Sequence, residues 1–377
     1  MSQITVLGAG MVGRAIARDL SGRHSVTSID RDTEALAMLA ADGIRTKTAD
    51  LARSERVGPL LGDCDLAVCA VPGFMGFRTL EAILAAGKAV VDISFMPEDA
   101  LELDELARSQ GVTAVVDMGV APGMDNLILG HHDRLMKVSR FECLVGGLPK
   151  CRTYPFEYKA PFSPIDVIEE YTRPARYVTK GRMVTRPALS EPELVEFPGI
   201  GTLESFNSDG LRSLITTMAH IPDMKEKTLR YPGHRALMAA LQAGGFFSEQ
   251  KITVAGQQLR PLDFSAAILM DAWKLADDEA EFTVMRVTVD GEERGEAVRY
   301  VYDLYDEYDS GTQTSSMART TGYACTAIAE LLLNGEYEHP GVSAPEQVGR
   351  AGDYLQTVLQ YLAKRGVQYQ VVRSPNR

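Results

Sequence analysis

Ile4-Thr5-Val6-Leu7-Gly8-Ala9-Gly10-Met11-Val12-Gly13, read on to Asp30, decides the architecture. Four apolar residues make a strand, and the Gly-x-Gly-x-x-Gly turn behind them gives each glycine its own task. Gly8 permits the tight turn off the strand. Gly10 lets the backbone approach a pyrophosphate, and Gly13 lets the next helix pack close to the strand. Arg14 to Leu20 continues as an amphipathic helix whose N-terminus points partial positive charge at the phosphates. A second strand, Ser25 to Ile29, delivers Asp30 about 20 residues beyond the glycines, where a carboxylate accepts both adenosine ribose hydroxyls. That acid predicts NAD rather than NADP, while Arg31 beside it has the charge to hold a 2′-phosphate.

The strand–helix alternation continues through Asp32–Ala41, Ile44–Thr48, Leu66–Val71, Arg78–Ala86, Ala89–Ile93, a helix from Pro97 to Gln110, and Thr113–Asp117. Near-continuous apolar strands between helices imply a parallel sheet covered on both faces, a Rossmann domain. Ligands in such sheets lie outside the carboxyl ends of the strands. The expected cofactor contacts are therefore Gly8, Gly10, Met11, Val12, Gly13, Asp30, Asp50, Val71, Pro72 and Ser94. The last strand runs into Gly119-Val120-Ala121-Pro122-Gly123-Met124-Asp125, a turn ahead of a helix, and Asp125 reads equally as a helix cap.

From Ser139 the pattern changes to period two, broken by Gly, Pro and charged turns, which predicts an α+β second domain with a mainly antiparallel sheet. Lys180-Gly181-Arg182 and Asp290-Gly291 read as hairpin turns. Helical patterning resumes over Thr320–Asn334 and Pro345–Arg365, and Val367–Val372 is strand-like. The expected boundaries are 1–138 for the Rossmann domain, completed by 316–377, with 139–315 as the substrate and oligomerisation domain. The acidic run Tyr300 to Asp309 lacks the spacing of a calcium loop.

A chain of 377 residues suits two domains, and a formal charge of −12 argues against nucleic acid and anionic membranes as partners. No apolar stretch approaches the ~20 residues of a membrane span, and the chain starts directly in a strand without a leader; a cytoplasmic protein is the expectation. Five cysteines, Cys64, Cys69, Cys143, Cys151 and Cys325, without Cys-x-x-Cys spacing, read as reduced thiols rather than a disulfide framework or zinc site. No metal is expected, and a broad antiparallel sheet leads to the expectation of a homo-oligomer, dimer or tetramer.

Three stretches mix polar groups with loop-forming residues: Tyr158 to Pro164, Phe206 to Arg212, and Thr228 to His234. Ligand-binding groups concentrate in such loops, which makes them candidates for a substrate pocket.

Long ordered blocks then resemble the saccharopine dehydrogenase-like reductases, and within them the lysine 6-dehydrogenases. These blocks are Gly119 to Met124, Val145-Gly146-Gly147-Leu148-Pro149, Glu170 to Arg176, Glu196-Phe197-Pro198-Gly199, Lys227 to His234 and Met317 to Gly322. The resemblance implies an amino-acid site lined by Asp125, Ser163, Thr228 and Arg230, with Thr172, Arg173 and Asp209 characteristic of the lysine-oxidising branch. Arg212 belongs to the same loop as Asp209. The implied reaction is NAD-dependent oxidative deamination of the lysine side-chain amine to 2-aminoadipate 6-semialdehyde and ammonia, the aldehyde then cyclising. A saccharopine dehydrogenase acting on a secondary amine and a non-catalytic dinucleotide-binding homologue are the alternatives.

A lysine ammonium titrates near ~10.4, so a protein group must take its proton. Asp125, Lys159 and His234 are the candidate bases. Arg230 or Arg173 suits the α-carboxylate, through a bidentate fork, and Asp209 or Asp125 the α-ammonium.

Overall fold

The computed structural model describes residues 1–160, 164–276 and 279–376. The strands, in chain order, are β1 (Gln3–Leu7), β2 (Ser25–Asp30), β3 (Arg45–Thr48), β4 (Leu66–Cys69), β5 (Ala89–Asp92), β6 (Thr113–Val115), β7 (Lys137–Pro149), β8 (Ala175–Thr179), β9 (Arg182–Arg186), β10 (Glu193–Phe197), β11 (Gly201–Asn207), β12 (Asp223–Arg230), β13 (Ile252–Val254), β14 (Gln257–Leu259), β15 (Glu281–Glu293), β16 (Glu296–Glu307), β17 (Gly341–Ser343) and β18 (Tyr369–Pro375).

The first sheet is parallel, with strand order β17-β6-β5-β4-β1-β2-β3. Its strands are apolar and buried because helices cover both faces: Ile4, Val6, Val68, Val91 and Val115 belong to one core, Leu7, Ala67, Cys69 and Val90 to the other. The order reverses between β1 and β4, and that switch point opens the cleft in which ligands of such folds bind. The C-terminal segment returns to this domain: the helix Ser316–Leu333 packs on the helix Met11–Ser21, and β17 extends the sheet beyond β6. Its last strand does not. β18 pairs with β16 and so belongs to the second sheet.

The second sheet runs β10-β11-β12-β7-β15-β16-β18, with β8 attached to β12 and β9 to β8. All its pairs are antiparallel except β12 with β7. The expected turn at Asp290-Gly291 is not one: β15 runs on to Glu293, and Arg294 and Gly295, both at positive φ, make the hairpin. Gly291 marks a register shift against β7 instead. Lys180-Gly181 does form the β8–β9 turn.

The helix Met124–Leu135 joins the two sheets and is buried from Met124 to His132. It crosses the helix Pro345–Ala351 at glycines on both sides. A Cβ on Gly130 would meet the Glu346 carbonyl at 2.0 Å, and one on Gly349 the Leu127 carbonyl at 2.4 Å, so only glycine permits this approach. A separate apolar cluster around Trp273, including Tyr158, Tyr171 and Phe206, supports the far wall of the cleft. Among the described residues no helix is long and apolar enough to cross a membrane.

Candidate active site

A cleft of about 660 Å³ runs from the β1 glycine turn to the surface of β7 and β12. Every residue expected to touch the cofactor borders it: Gly8, Gly10, Met11, Val12, Gly13, Asp30, Asp50, Val71, Pro72 and Ser94. The turn is tight for the reasons its glycines suggest. A Cβ on Gly13 would lie 2.1 Å from the Gly8 carbonyl, and one on Gly8 2.3 Å from that of Ala70, whereas a Cβ on Gly10 would meet nothing within 4 Å. The bare backbone at Gly10 thus faces open space. The helix that starts there has no side-chain cap, so its first-turn amides remain available to an anion. Asp30 ends β2 with Oδ2 accepting the Ala9 amide at 2.6 Å and Oδ1 the Asp32 amide at 3.0 Å. These residues fit a pyridine dinucleotide, pyrophosphate at the glycines and ribose at Asp30.

The other end of the cleft is rich in acids. Asp117, Glu169, Glu170, Asp209 and Glu226 border it, together with Arg173 and Arg230. Four of these carboxylates are paired with arginine: Glu170 with Arg230 at 2.7 Å, Asp209 with Arg176 at 2.8 Å, Asp117 with Arg212 at 2.9 Å, and Glu169 with Arg173 one helical turn on. Glu226 has no cationic partner among the described residues.

Arg230 is 2% exposed and nearly spent. It donates Nε to the Tyr171 hydroxyl, Nη1 to the Leu229 carbonyl and Nη2 to Glu170 and the Tyr158 hydroxyl, and stacks 4.5 Å from the Tyr158 ring centroid. Arg173 is more open: it has one carboxylate partner and stacks 5.1 Å from the Phe95 centroid, with the Arg212 guanidinium 4.9 Å from the same ring. Thr228 borders the cleft and donates to the Ser208 hydroxyl at 2.8 Å.

Several expected site residues lie elsewhere. His234 is a layer behind the cleft, with Nδ1 donating to the Phe156 carbonyl at 2.8 Å and Nε2 3.0 Å from the Tyr171 hydroxyl. Burial and the nearby Arg230 lower its pKa to about 3, so it is a neutral link from Arg230 through Tyr171 rather than a base near neutrality. Lys159 is drawn to the C-terminus of the helix Pro261–Ala272, donating to the carbonyls of Ala272 and Lys274, a placement the helix dipole favours. The Thr172 hydroxyl turns back onto the Ile168 carbonyl, and Arg212 is buried against Asp117, both at positive φ. Ser163 lies outside the described residues. Thr228 and Arg230 are in a strand, not a loop; β12 ends at Arg230.

Asp125 is in the first turn of the helix Met124–Leu135, where Oδ1 accepts the Gly123 amide at 2.9 Å. Its Oδ2 is buried with no hydrogen-bond partner, as is Glu226 Oε2. Donor atoms of Asp125, Glu226 and Cys143 lie within 4.8 Å of one another. Burial, with the mutual repulsion of the two acids, holds Glu226 well above the ordinary carboxylate range, and burial raises Asp125 likewise. Glu226, Asp117 and Phe95 carry no motif, whereas Glu170 opens the block Glu170 to Arg176 that carries the family resemblance. Glu226 stands among Asp223, Lys225 and Lys227, so no local signal sets it apart.

Comparison with known proteins gives the relationships of this arrangement. Residues 4–115 match the saccharopine dehydrogenase NADP binding domain, and residues 119–367 the saccharopine dehydrogenase C-terminal domain. A carboxyaminopropylagmatine dehydrogenase of Synechocystis is 22% identical over 382 residues, covering 92% of this chain and 93% of that protein. An NADP(+), L-glutamate-forming saccharopine dehydrogenase of Schizosaccharomyces pombe is 22% identical over 452 residues and 98% of each chain. An alpha-aminoadipic semialdehyde synthase of Arabidopsis thaliana is 25% identical over 74% of this chain, which spans only 30% of that protein. The apo L-glutamate-forming saccharopine dehydrogenase of Saccharomyces cerevisiae has the same fold, with a TM-score of 0.79 at 20% identity over 99% of this chain.

Proposed function

The chain belongs to the saccharopine dehydrogenase family, and from that premise we propose that it is an L-lysine 6-dehydrogenase, oxidising the lysine side-chain amine with NAD. One observation carries the choice of substrate: the acids bordering the substrate end of the cleft outnumber its arginines, and each arginine is already paired with a carboxylate of the protein. Saccharopine would bring further carboxylates to this wall. Lysine brings two ammonium groups and one carboxylate, which suits it.

Arg173, the less committed arginine, holds the substrate α-carboxylate. Arg230, fixed by Glu170, Tyr158 and Tyr171, shapes the wall and balances its charge. Asp30 favours NAD, because a 2′-phosphate would be brought against its carboxylate. When bound, the pyridine nucleotide supplies the hydride acceptor. The protein must neutralise the amine, hold the reacting carbon in place and admit water to hydrolyse the imine. The test is incubation of the protein with NAD and L-lysine while NADH absorbance is followed. Turnover supports the reading; no turnover with lysine but turnover with saccharopine replaces it by a saccharopine dehydrogenase.

A further inference from the structure

We infer that Glu226 is the catalytic base that takes the proton of the reacting ammonium group, with Asp125 behind it as a positioning residue. The inference rests on the proposed lysine oxidation and assigns its missing proton acceptor. Glu226 borders the cleft, is 6% exposed, and keeps Oε2 without a hydrogen-bond partner. The acids around it are already committed: Glu170 to Arg230 and Asp209 to Arg176. A cation entering the pocket thus finds one uncompensated carboxyl group at its wall.

Space has been left for that group. Gly210 faces it so closely that a Cβ there would lie 1.9 Å from Glu226 Oε1. On its other side are Asp125 and the Cys143 thiol. The charged and titratable groups facing Glu226 are therefore Asp125, Cys143, Asp209 and Glu170, and the Tyr369 phenol lies behind, within electrostatic reach of Asp125 and Cys143. Two carboxyls this close and this dry cannot both ionise, so the pair keeps one proton; of the two, Glu226 alone borders the cleft, and a cation arriving there draws the charge onto Glu226 and leaves the proton on Asp125.

The steps balance. The side-chain ammonium passes one proton to Glu226 and becomes a neutral amine. The adjacent C–H bond breaks, its electron pair leaving as hydride to the pyridine nucleotide, and a C=N bond forms as an iminium. Water adds to that carbon, the C–N bond breaks and ammonium leaves with the aldehyde. Glu226 returns its proton to solvent through the cleft.

The full-length protein is assayed with L-lysine and NAD across pH. For Glu226→Gln, kcat/KM at neutral pH falls about 100-fold or more. It then rises about tenfold per pH unit towards the lysine amine's own pKa near ~10.4, where the substrate needs no base, while the wild type levels off far below. NAD binding, followed by fluorescence, is unchanged. Gly210→Ala, which displaces the carboxyl without removing it, reproduces the loss and the alkaline recovery, and decides the matter should the glutamine variant not fold. Asp125→Asn leaves the acid limb of kcat/KM within about half a pH unit of wild type, because the shared proton already keeps Asp125 neutral while Glu226 is charged, whereas a loss and alkaline recovery equal to those of Glu226→Gln overturn the assignment of the base to Glu226. Glu226→Gln within threefold of wild type overturns the assignment while lysine oxidation stands. Wild-type protein inert towards lysine at every pH overturns both. Turnover lost to a chelator and restored by zinc makes Asp125, Cys143 and Glu226 a metal site and overturns the base.

Discussion

The Asp30 carboxylate accepts the Ala9 amide at 2.6 Å, tying the end of β2 to the middle of the glycine turn. The pyrophosphate and ribose subsites are thereby held in one register, and a carboxylate has acceptor capacity left for the ribose hydroxyls. Asp30→Ala is expected to raise the KM for NAD about tenfold or more while that for lysine changes less than threefold, since hydrogen bonds to charged groups contribute about 1.5–3 kcal/mol. Steady-state kinetics with each substrate varied in turn checks this; equal effects on both constants contradict it.

Arg173 and Arg230 should separate binding from stability. Arg230→Met leaves the part-buried Glu170 unpaired and also empties the space of a guanidinium that is itself 2% exposed, and should destabilise the fold by about 2–4 kcal/mol. Arg173→Met removes a half-open pair on one helix, costing about 1 kcal/mol or less, yet should raise the KM for lysine at least tenfold. Denaturant titration and kinetics on both variants make the comparison.

His234 should report itself in stability rather than in catalysis. Its pKa is about 3 in the folded chain, against an unperturbed value near ~6.5, so the unfolded state binds the extra proton between these limits. Its neutral imidazole therefore supports the fold above pH ~6.5, and that support is lost as pH falls towards 3. Relative to His234→Gln, wild-type stability should drop by about 1.4 kcal/mol per pH unit below ~6.5. Unfolding curves at pH 7.5 and 5.5 test this, and a constant difference between the two proteins contradicts it.

Gly130→Ala should be costly, although the position is helical and alanine is the better helix former. Its Cβ would meet backbone of Glu346 at 2.0 Å, which cannot move as a side chain can. A loss of about 1–3 kcal/mol or more is expected, read by thermal or denaturant unfolding.

The Rossmann half is legible in the sequence because its signals are local. Strand, glycine turn, helix and terminal acid follow one another within Ile4 to Asp30, and strand-end loops such as Val71-Pro72 and Ser94 reach the cleft as that topology requires. The substrate half is legible by residue type and not by role. Lys159 and His234 have suitable chemistry, but distant partners, the Ala272 carbonyl and Tyr171, claim them. Glu226 is hidden for the converse reason. Asp223-Met224-Lys225-Glu226-Lys227 looks solvated, and its burial follows from parallel pairing with β7, some eighty positions earlier in the chain.

The fate of the substrate nitrogen distinguishes lysine oxidation from saccharopine oxidation. Lysine carrying heavy nitrogen in its side-chain amine is incubated with NAD, and ammonium and NADH are measured together. Labelled ammonium is expected in equal amount to NADH. Absence of label in ammonium, with NADH or NADPH formed only from saccharopine and the nitrogen retained in glutamate, would contradict it.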